Sequence, residues 1–344
     1  MAFISFQPSA YFNTKTYDGT AAEQNVTGVG FQPDFTWLKS SNDVLGNYLF
    51  DSVRGATHAL ASNGSDAQFS DVQYLKSFDA DGFTVGTNTA INGSGDEMVG
   101  WNYKAGTTTG LSGGTITPTG YSFSAAAGTS IIQYDGNSTT GATVPHGLGV
   151  APKCVIVKCL DAAENWCVGH TAFGFTKWIP LDTSGTPTTT SVTWNDTAPS
   201  STVVTLGANS IVNTHTTLGY IMYAFANVKG FQHHGSYTGN GDSDGPMVYT
   251  GFRPAFVMVK RLDSSDNWVS FDNRRLGYNE KNYILYPNLS NAEATSTPYF
   301  DIVANGFKVR WTDSKANTGG NTYLYSAWAE FPIVSSNSKA GVAR

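Results

Sequence analysis

One strand signature occurs three times in this chain, and that repetition limits the folds open to it more than any other feature. The copies read Gly30-Phe-Gln-Pro33-Asp-Phe35-Thr-Trp37-Leu-Lys39, Gly149-Val-Ala-Pro152-Lys-Cys154-Val-Ile156-Val-Lys158 and Gly251-Phe-Arg-Pro254-Ala-Phe256-Val-Met258-Val-Lys260. Their prolines stand 119 and 102 residues apart (152 − 33 and 254 − 152). A Tyr-x-Gly turn precedes each copy, beginning at Tyr17, Tyr134 and Tyr237. A second strand is expected to start at Asn47-Tyr48, Asn165-Trp166 and Asn267-Trp268. Each copy is expected to close on a small residue followed by an aromatic: Gly100-Trp101, Ala224-Phe225 and Ala327-Trp328. Those aromatics lie 68, 73 and 74 residues after the prolines (101 − 33, 225 − 152 and 328 − 254). On this reading one supersecondary unit has been triplicated.

The chemistry of the repeated positions is that of strands. Proline can open a strand but cannot sit inside a central one. The runs that follow it in the second and third copies, Cys-Val-Ile-Val and Phe-Val-Met-Val, are apolar at every position. A strand with one wet face would alternate instead, so these strands need cover on both sides, from a second sheet and from a loop or neighbouring repeat. Lys39, Lys158 and Lys260 mark the strand exits, and Trp101, Phe225 and Trp328 are expected to be buried. No segment keeps a helical apolar period over three turns. The expected fold is all-β, with three repeated antiparallel β-sandwich units of jelly-roll or lectin-like type joined by short linkers. The first unit with its N-terminal arm covers residues 1–106. A linker with an extra strand pair covers 107–133, the second unit 134–232, the third 233–333, and a polar tail 334–344.

Composition closes several functional classes. Charged residues are 13% of 344, against roughly 25% in an average soluble protein. The formal net charge is −6 and no stretch gathers Lys and Arg, so nucleic acid is not an expected partner. No apolar run reaches the roughly 18–20 residues that span a bilayer, and the N-terminus lacks the basic and apolar regions of a secretory signal. Aromatics make up 13% of the chain, enough to build substantial cores.

No residue is assigned to catalysis, to a cofactor or to a metal. Asn240-Gly-Asp242-Ser-Asp244-Gly245 resembles the opening of a calcium loop, but the position that needs a bidentate Glu is Gly251, so a turn is preferred. His233-His234 lacks a second His or Cys pair at ligand spacing and is read as a surface loop. Cys154, Cys159 and Cys167 are too few and too close for a disulfide framework. Cys154 falls in the slot of Phe35 and Phe256, and Cys167 in that of Leu49 and Val269, as small core residues. Cys159 stands at a strand exit without an obvious partner. The carboxylates Asp96-Glu97, Glu280 and Glu330 form no recognisable glycosidase pair. Gly110-Leu-Ser112-Gly-Gly114 matches a nucleophile elbow by letter only, because no apolar strand precedes it. Asp51 with Arg54 and Asp272 with Arg275 recur between copies one and three, which points to structural ion pairs.

Longer stretches carry a resemblance. Phe6-Gln-Pro-Ser-Ala-Tyr-Phe-Asn-Thr-Lys15, Gly28-Val-Gly-Phe-Gln-Pro-Asp34, Leu49-Phe-Asp-Ser-Val-Arg-Gly-Ala56, Ser77-Phe-Asp-Ala-Asp-Gly-Phe-Thr-Val-Gly86, Gly235-Ser-Tyr-Thr-Gly-Asn240 and Tyr249-Thr-Gly-Phe-Arg-Pro-Ala-Phe-Val-Met-Val-Lys260 are similar to virion proteins of tailed phages of marine bacteria, including cyanophages. The resemblance implies a non-enzymatic, lectin-like structural protein, a tail fibre or surface appendage involved in host adsorption. A capsid decoration or head-fibre protein is the first alternative and a glycan depolymerase the second. Such a protein is made in the host cytoplasm and resides in the virion. Its expected partners are other virion proteins, further copies of itself (a homotrimer, by analogy with threefold appendages) and a host surface glycan.

Overall fold

The computed structural model describes residues 7–214, 219–275, 279, 283–295 and 299–330. The polar tail 334–344 and Glu280 lie outside the described residues. The fold is all-β, with several antiparallel sheets. Helix among the described residues is limited to single turns at Thr89–Asn92 and Ser191–Trp194 and a 3-10 turn at Pro8–Ala10. No described helix is long and apolar enough to cross a membrane.

Three large sheets contain the same four neighbours in the same order: an opening strand, a closing strand, the signature strand and a second strand. In the first sheet these are Phe12–Asp18, Glu97–Tyr103, Phe35–Ser40 and Tyr48–Asp51. In the second they are Thr129–Asp135, Gly219–Phe225, Cys154–Cys159 and Cys167–His170. In the third they are Gln232–Thr238, Thr322–Ala329, Pro254–Arg261 and Val269–Asp272. Residues 107–133 do hold a strand pair, Gly120–Ser124 with Thr129–Asp135. Its second strand is also the opening strand of the second sheet, so that sheet begins at Thr129, ahead of Tyr134. Pro33 and Pro152 stand just ahead of their strands and Pro254 opens its own, where a missing N–H costs no ladder bond.

Pairing register corrects two alignments made by residue type. In the closing strands, Tyr103 lies opposite Phe35, Phe225 opposite Cys154 and Trp328 opposite Phe256. The counterpart of Phe225 and Trp328 is therefore Tyr103, not Trp101. The counterparts of Trp101 are Tyr223 and Ser326. In the second strands, Asp51, His170 and Asp272 lie opposite Phe35, Cys154 and Phe256. Cys167 therefore shares its place with Tyr48 and Val269 rather than Leu49, and Asn47 with Trp166 and Trp268. Both slips have one cause: letters can be matched by kind, whereas hydrogen bonding assigns each residue one opposite number.

Strand alternation explains the runs that are apolar throughout. Val155 and Val157 face a core shared with the strand pair Ala142–Pro145 and Val203–Leu206. Val257 and Val259 face one with Val248, Phe300, Ile302 and Phe307, and Leu38 one with Val26, Phe83 and Val85. The alternate residues Phe35, Trp37, Cys154, Ile156, Phe256 and Met258 all enter a single central core. The other two sheets of the same chain thus cover the second face. The cover these strands require on both faces is met by sheets of the same chain.

At the centre, Tyr103, Phe225 and Trp328 meet one another. Their ring centroids are 6.0, 5.5 and 5.5 Å apart. Edge-to-face aromatic pairs add about 0.5–1.5 kcal/mol each beyond area burial. Trp101 joins the same core at 1% exposure, with Phe225 at 6% and Trp328 at 3%. The contacts between sheets run head to tail. Trp166 donates to the Ala61 carbonyl (2.9 Å), Trp268 to the Pro180 carbonyl (2.9 Å), and Asn47 to the Leu289 carbonyl (2.8 Å). These are the second sheet reaching the first, the third reaching the second, and the first reaching the third.

The Tyr-x-Gly turns are latches. Tyr17, Tyr134 and Tyr237 donate their hydroxyls to the carbonyls of Ile91, Val212 and Ala316. The next residue in each case is a fully buried asparagine, Asn92, Asn213 or Asn317. Its Oδ1 accepts the backbone N–H three residues past the tyrosine, from Thr20, Asn137 or Asn240. The glycine follows from this packing: a Cβ on Gly19 would lie 2.0 Å from the Gly93 carbonyl oxygen. The three lysines at the strand exits are fully buried. Each caps the backbone beside it: Lys39 Nζ donates to Ser40, Lys158 to Cys159 and Lys260 to Arg261. Burial lowers all three pKa values, Lys39 and Lys260 to about 8.

Candidate functional site

The central core has three junctions, one between each pair of sheets, and each carries polar residues at the place set by Asp51, His170 and Asp272. At the first junction Arg54 folds back on Asp51 with Nε 2.5 Å from Oδ2. Its other nitrogens donate to the Leu49 and His58 carbonyls and to Gln68. Tyr223, from the second sheet, donates its hydroxyl to the same Asp51 oxygen at 2.7 Å. At the junction of third and first sheets Arg275 Nε lies 2.8 Å from Asp272 Oδ2, and Arg275 Nη1 2.8 Å from Glu293. Trp101, from the first sheet, donates to Asp272 at 3.3 Å. Trp101 and Tyr223, equivalent by register, thus do equivalent work. These ion pairs are buried and hydrogen-bonded at almost every polar atom, the condition under which a buried pair is tolerated.

The junction of second and third sheets differs. His170 stands where the aspartates stand, and Phe173, three residues on, replaces the arginine. Cys154 lies opposite His170. The third sheet contributes His234, whose Nδ1 is 2.9 Å from Ser326 Oγ. Ser326 is the counterpart of Trp101 and Tyr223. Cys154, His170 and His234 each offer a ligand atom within 4.8 Å of the others, and all three side chains are buried. His170 Nδ1 accepts the Ala172 N–H at 3.0 Å. Neither His170 Nε2 nor His234 Nε2 has a hydrogen-bond partner; the Tyr325 backbone bears on the His170 ring without completing one.

Electrostatics here are set by desolvation. Burial pushes the His170 pKa down to about 3, with His233 adding to the shift, and pushes His234 well below its ordinary value. Burial raises the Cys154 thiol to about 12, opposed by a hydrogen bond from Ser326. All three are neutral at pH 7, a state in which imidazole offers a lone pair and cysteine a proton it can lose to a metal.

The structure locates the other sequence candidates elsewhere. His233-His234 is part of the strand Gln232–Thr238, not a surface loop, and His234 is 1% exposed. Cys159 and Cys167 are buried free thiols facing the second sheet's own core. In the loop after Gly239, Asn240 and Asp242 accept backbone N–H groups within the turn, and Asp244 pairs with Lys308. A groove of about 300 Å³ between first and third sheets is lined by Tyr17, Glu97, Arg274, Tyr283 and Glu293 among others. Glu330 is held by Arg274. His170 escaped the sequence reading. Its signal was its place: aligned on Asp51 and Asp272, the middle copy carries His170 and Phe173 where the others carry Asp and Arg.

These observations define a protein of all-β architecture with a closed polar-studded core. The chain belongs to the family described as Domain of unknown function (DUF7483), whose model matches residues 7–332. No curated protein and no solved structure matches it.

Proposed function

We propose that this chain is a non-enzymatic structural protein of a tailed-phage particle, a tail fibre or surface appendage, built from three repeated β-sandwich units of lectin-like type. The observation that carries the reading is the use of the recurring polar residues. Asp51, Arg54, Asp272, Arg275, the three lysines and the three latch asparagines are buried and bonded to their own chain. Such residues hold a scaffold together. The resemblance of its motifs to marine phage virion proteins supplies the setting. The partners on this reading are other virion proteins and further copies of the chain, a homotrimer by analogy with threefold appendages. A particle that presents many copies can adsorb through individually weak contacts. The groove lined by Tyr17, Glu97, Arg274 and Tyr283 is where a host glycan would find polar and aromatic side chains.

The test is antibody labelling of purified particles, raised against the recombinant chain and read by electron microscopy. Label on tail or appendage is the expected result. Label over the shell would favour capsid decoration, and absence of the chain from washed particles would overturn the proposal. Incubating the protein with host polysaccharide checks the depolymerase alternative; released oligosaccharide that disappears in Glu97→Gln/Glu293→Gln would establish it instead.

A further inference from the structure

We propose that Cys154, His170 and His234 bind a thiophilic d10 metal ion, Zn2+ in the first instance, which clamps the second sheet to the third. The donor set is the first argument. One sulfur and two imidazole nitrogens, with no carboxylate, suit zinc or Cu(I) and exclude magnesium and calcium, which require oxygen. The spacing is the second. Zinc bonds of about 2.3 Å to sulfur and 2.0–2.1 Å to nitrogen place ligand atoms roughly 3.5–4 Å apart. The three atoms already lie within 4.8 Å of one another, so side-chain adjustments of about an ångström complete the site.

The third argument is what the side chains lack and what they have. His234 Nε2 is buried without a partner, the condition that calls for a missing ligand. His234 Nδ1 is held by Ser326 Oγ, an outer contact of the kind that orients metal-ligating histidines, whereas His170 Nδ1 accepts the Ala172 N–H. The fourth is position. At the other two junctions a buried guanidinium supplies the cation beside the second strand, Arg54 in one and Arg275 in the other. The metal ion is the cation of the third junction.

Binding balances without an oxidant or reductant. The Cys154 S–H bond breaks and its proton leaves to solvent as the metal–sulfur bond forms. His170 Nε2 offers a lone pair only in the tautomer with its proton on Nδ1, so that proton moves from Nε2 to Nδ1 and the Ala172 N–H contact is given up as the metal–nitrogen bond forms. His234 Nε2 donates its lone pair. One thiolate and two neutral imidazoles leave one net positive charge with Zn2+ and none with Cu(I).

The experiment uses the full chain, refolded from denaturant in the presence of Zn2+, freed of loose metal by gel filtration and analysed for bound metal. About one zinc per chain is expected, and a raised melting temperature relative to protein refolded in chelator. Refolding with Co2+ should give a thiolate-to-cobalt charge-transfer band that Zn2+ abolishes. Cys154→Ser and His234→Thr, the latter installing the residue that the first sheet carries at Thr14, should each lose the band and bind at least about 10-fold more weakly. Refolding with Cu(I) under reducing conditions separates the two ions: retention of copper but not zinc would assign the site to Cu(I). Wild-type protein that folds yet retains neither ion, and shows no cobalt band, would overturn the proposal. So would variants that keep the same metal content, since the metal would then lie elsewhere. The wild-type readings stand even where a variant does not fold.

Discussion

The junction of first and second sheets and the junction of second and third occupy matching places in the fold, yet one is filled with full charges and the other with neutral donors. Asp51 and Arg54 sit 2.5 Å apart and engage Tyr223 across the gap. His170, Cys154 and His234 leave two ring nitrogens unsatisfied at the corresponding spot. The comparison shows that a register position prescribes a need, a polar bridge between adjacent sheets, without prescribing the chemistry that meets it. An ion pair is complete on its own; the Cys-His-His set leaves a place that the proposed cation would fill.

The largest expected effect comes from breaking the charged junctions. Arg54→Ala and Arg275→Ala each leave a carboxylate buried without its cation, which should cost about 3–5 kcal/mol by chemical denaturation. His170→Asp should destabilise comparably, and adding Phe173→Arg should recover part of the loss if the three junctions are equivalent. No recovery in the double variant would break the comparison.

Next is the aromatic triangle shared by all three sheets. Trp328→Ala removes rings from contact with both Tyr103 and Phe225 and should cost about 3 kcal/mol or more. Tyr103→Ala and Phe225→Ala should couple to it non-additively, and additive costs in a double-mutant cycle would mean that the three rings do not act together. Smaller effects are expected at the latches. Asn92→Ala, Asn213→Ala and Asn317→Ala each strand buried backbone groups, for about 1–3 kcal/mol, and the three values should agree. A null result at one latch would single out that unit as different.

The buried lysines give a pH signature. Burial lowers Lys39 from 10.5 to about 8, with Arg275 adding to the shift against Asp43, Asp96 and Glu293; burial likewise lowers Lys260 to about 8. Between about pH 8 and 10.5 the unfolded chain therefore binds more protons at these sites, and their contribution to stability improves as pH rises. The stability difference between wild type and Lys39→Met should shift in favour of wild type across that window. A flat difference would show that the ammonium group is solvated. Least affected should be the surface pair Lys76–Glu23. Its 2.5 Å separation matches that of Arg54–Asp51, but it is exposed, so Lys76→Ala should change stability by under about 1 kcal/mol.

The sequence by itself determined the all-β class, the signature strands with their prolines, and the strand-exit lysines. It also showed that Asp51–Arg54 and Asp272–Arg275 form matching pairs. These follow from local rules, since proline lacks an N–H and β-branched runs between turns favour strands wherever they occur. It also showed that two strands needed cover on both faces. Only the tertiary structure decided that the cover lies within one chain, that Tyr103 rather than Trp101 meets Phe225 and Trp328, and that Cys154, His170 and His234 converge. Cys154 and His170 are 16 residues apart, and His234 lies 64 further on (170 − 154 and 234 − 170). No local pattern links them. Strand pairing sets Cys154 beside His170, and the packing of the third sheet against the second brings in His234. Both depend on hydrogen-bond register and sheet stacking, which no single stretch of sequence encodes.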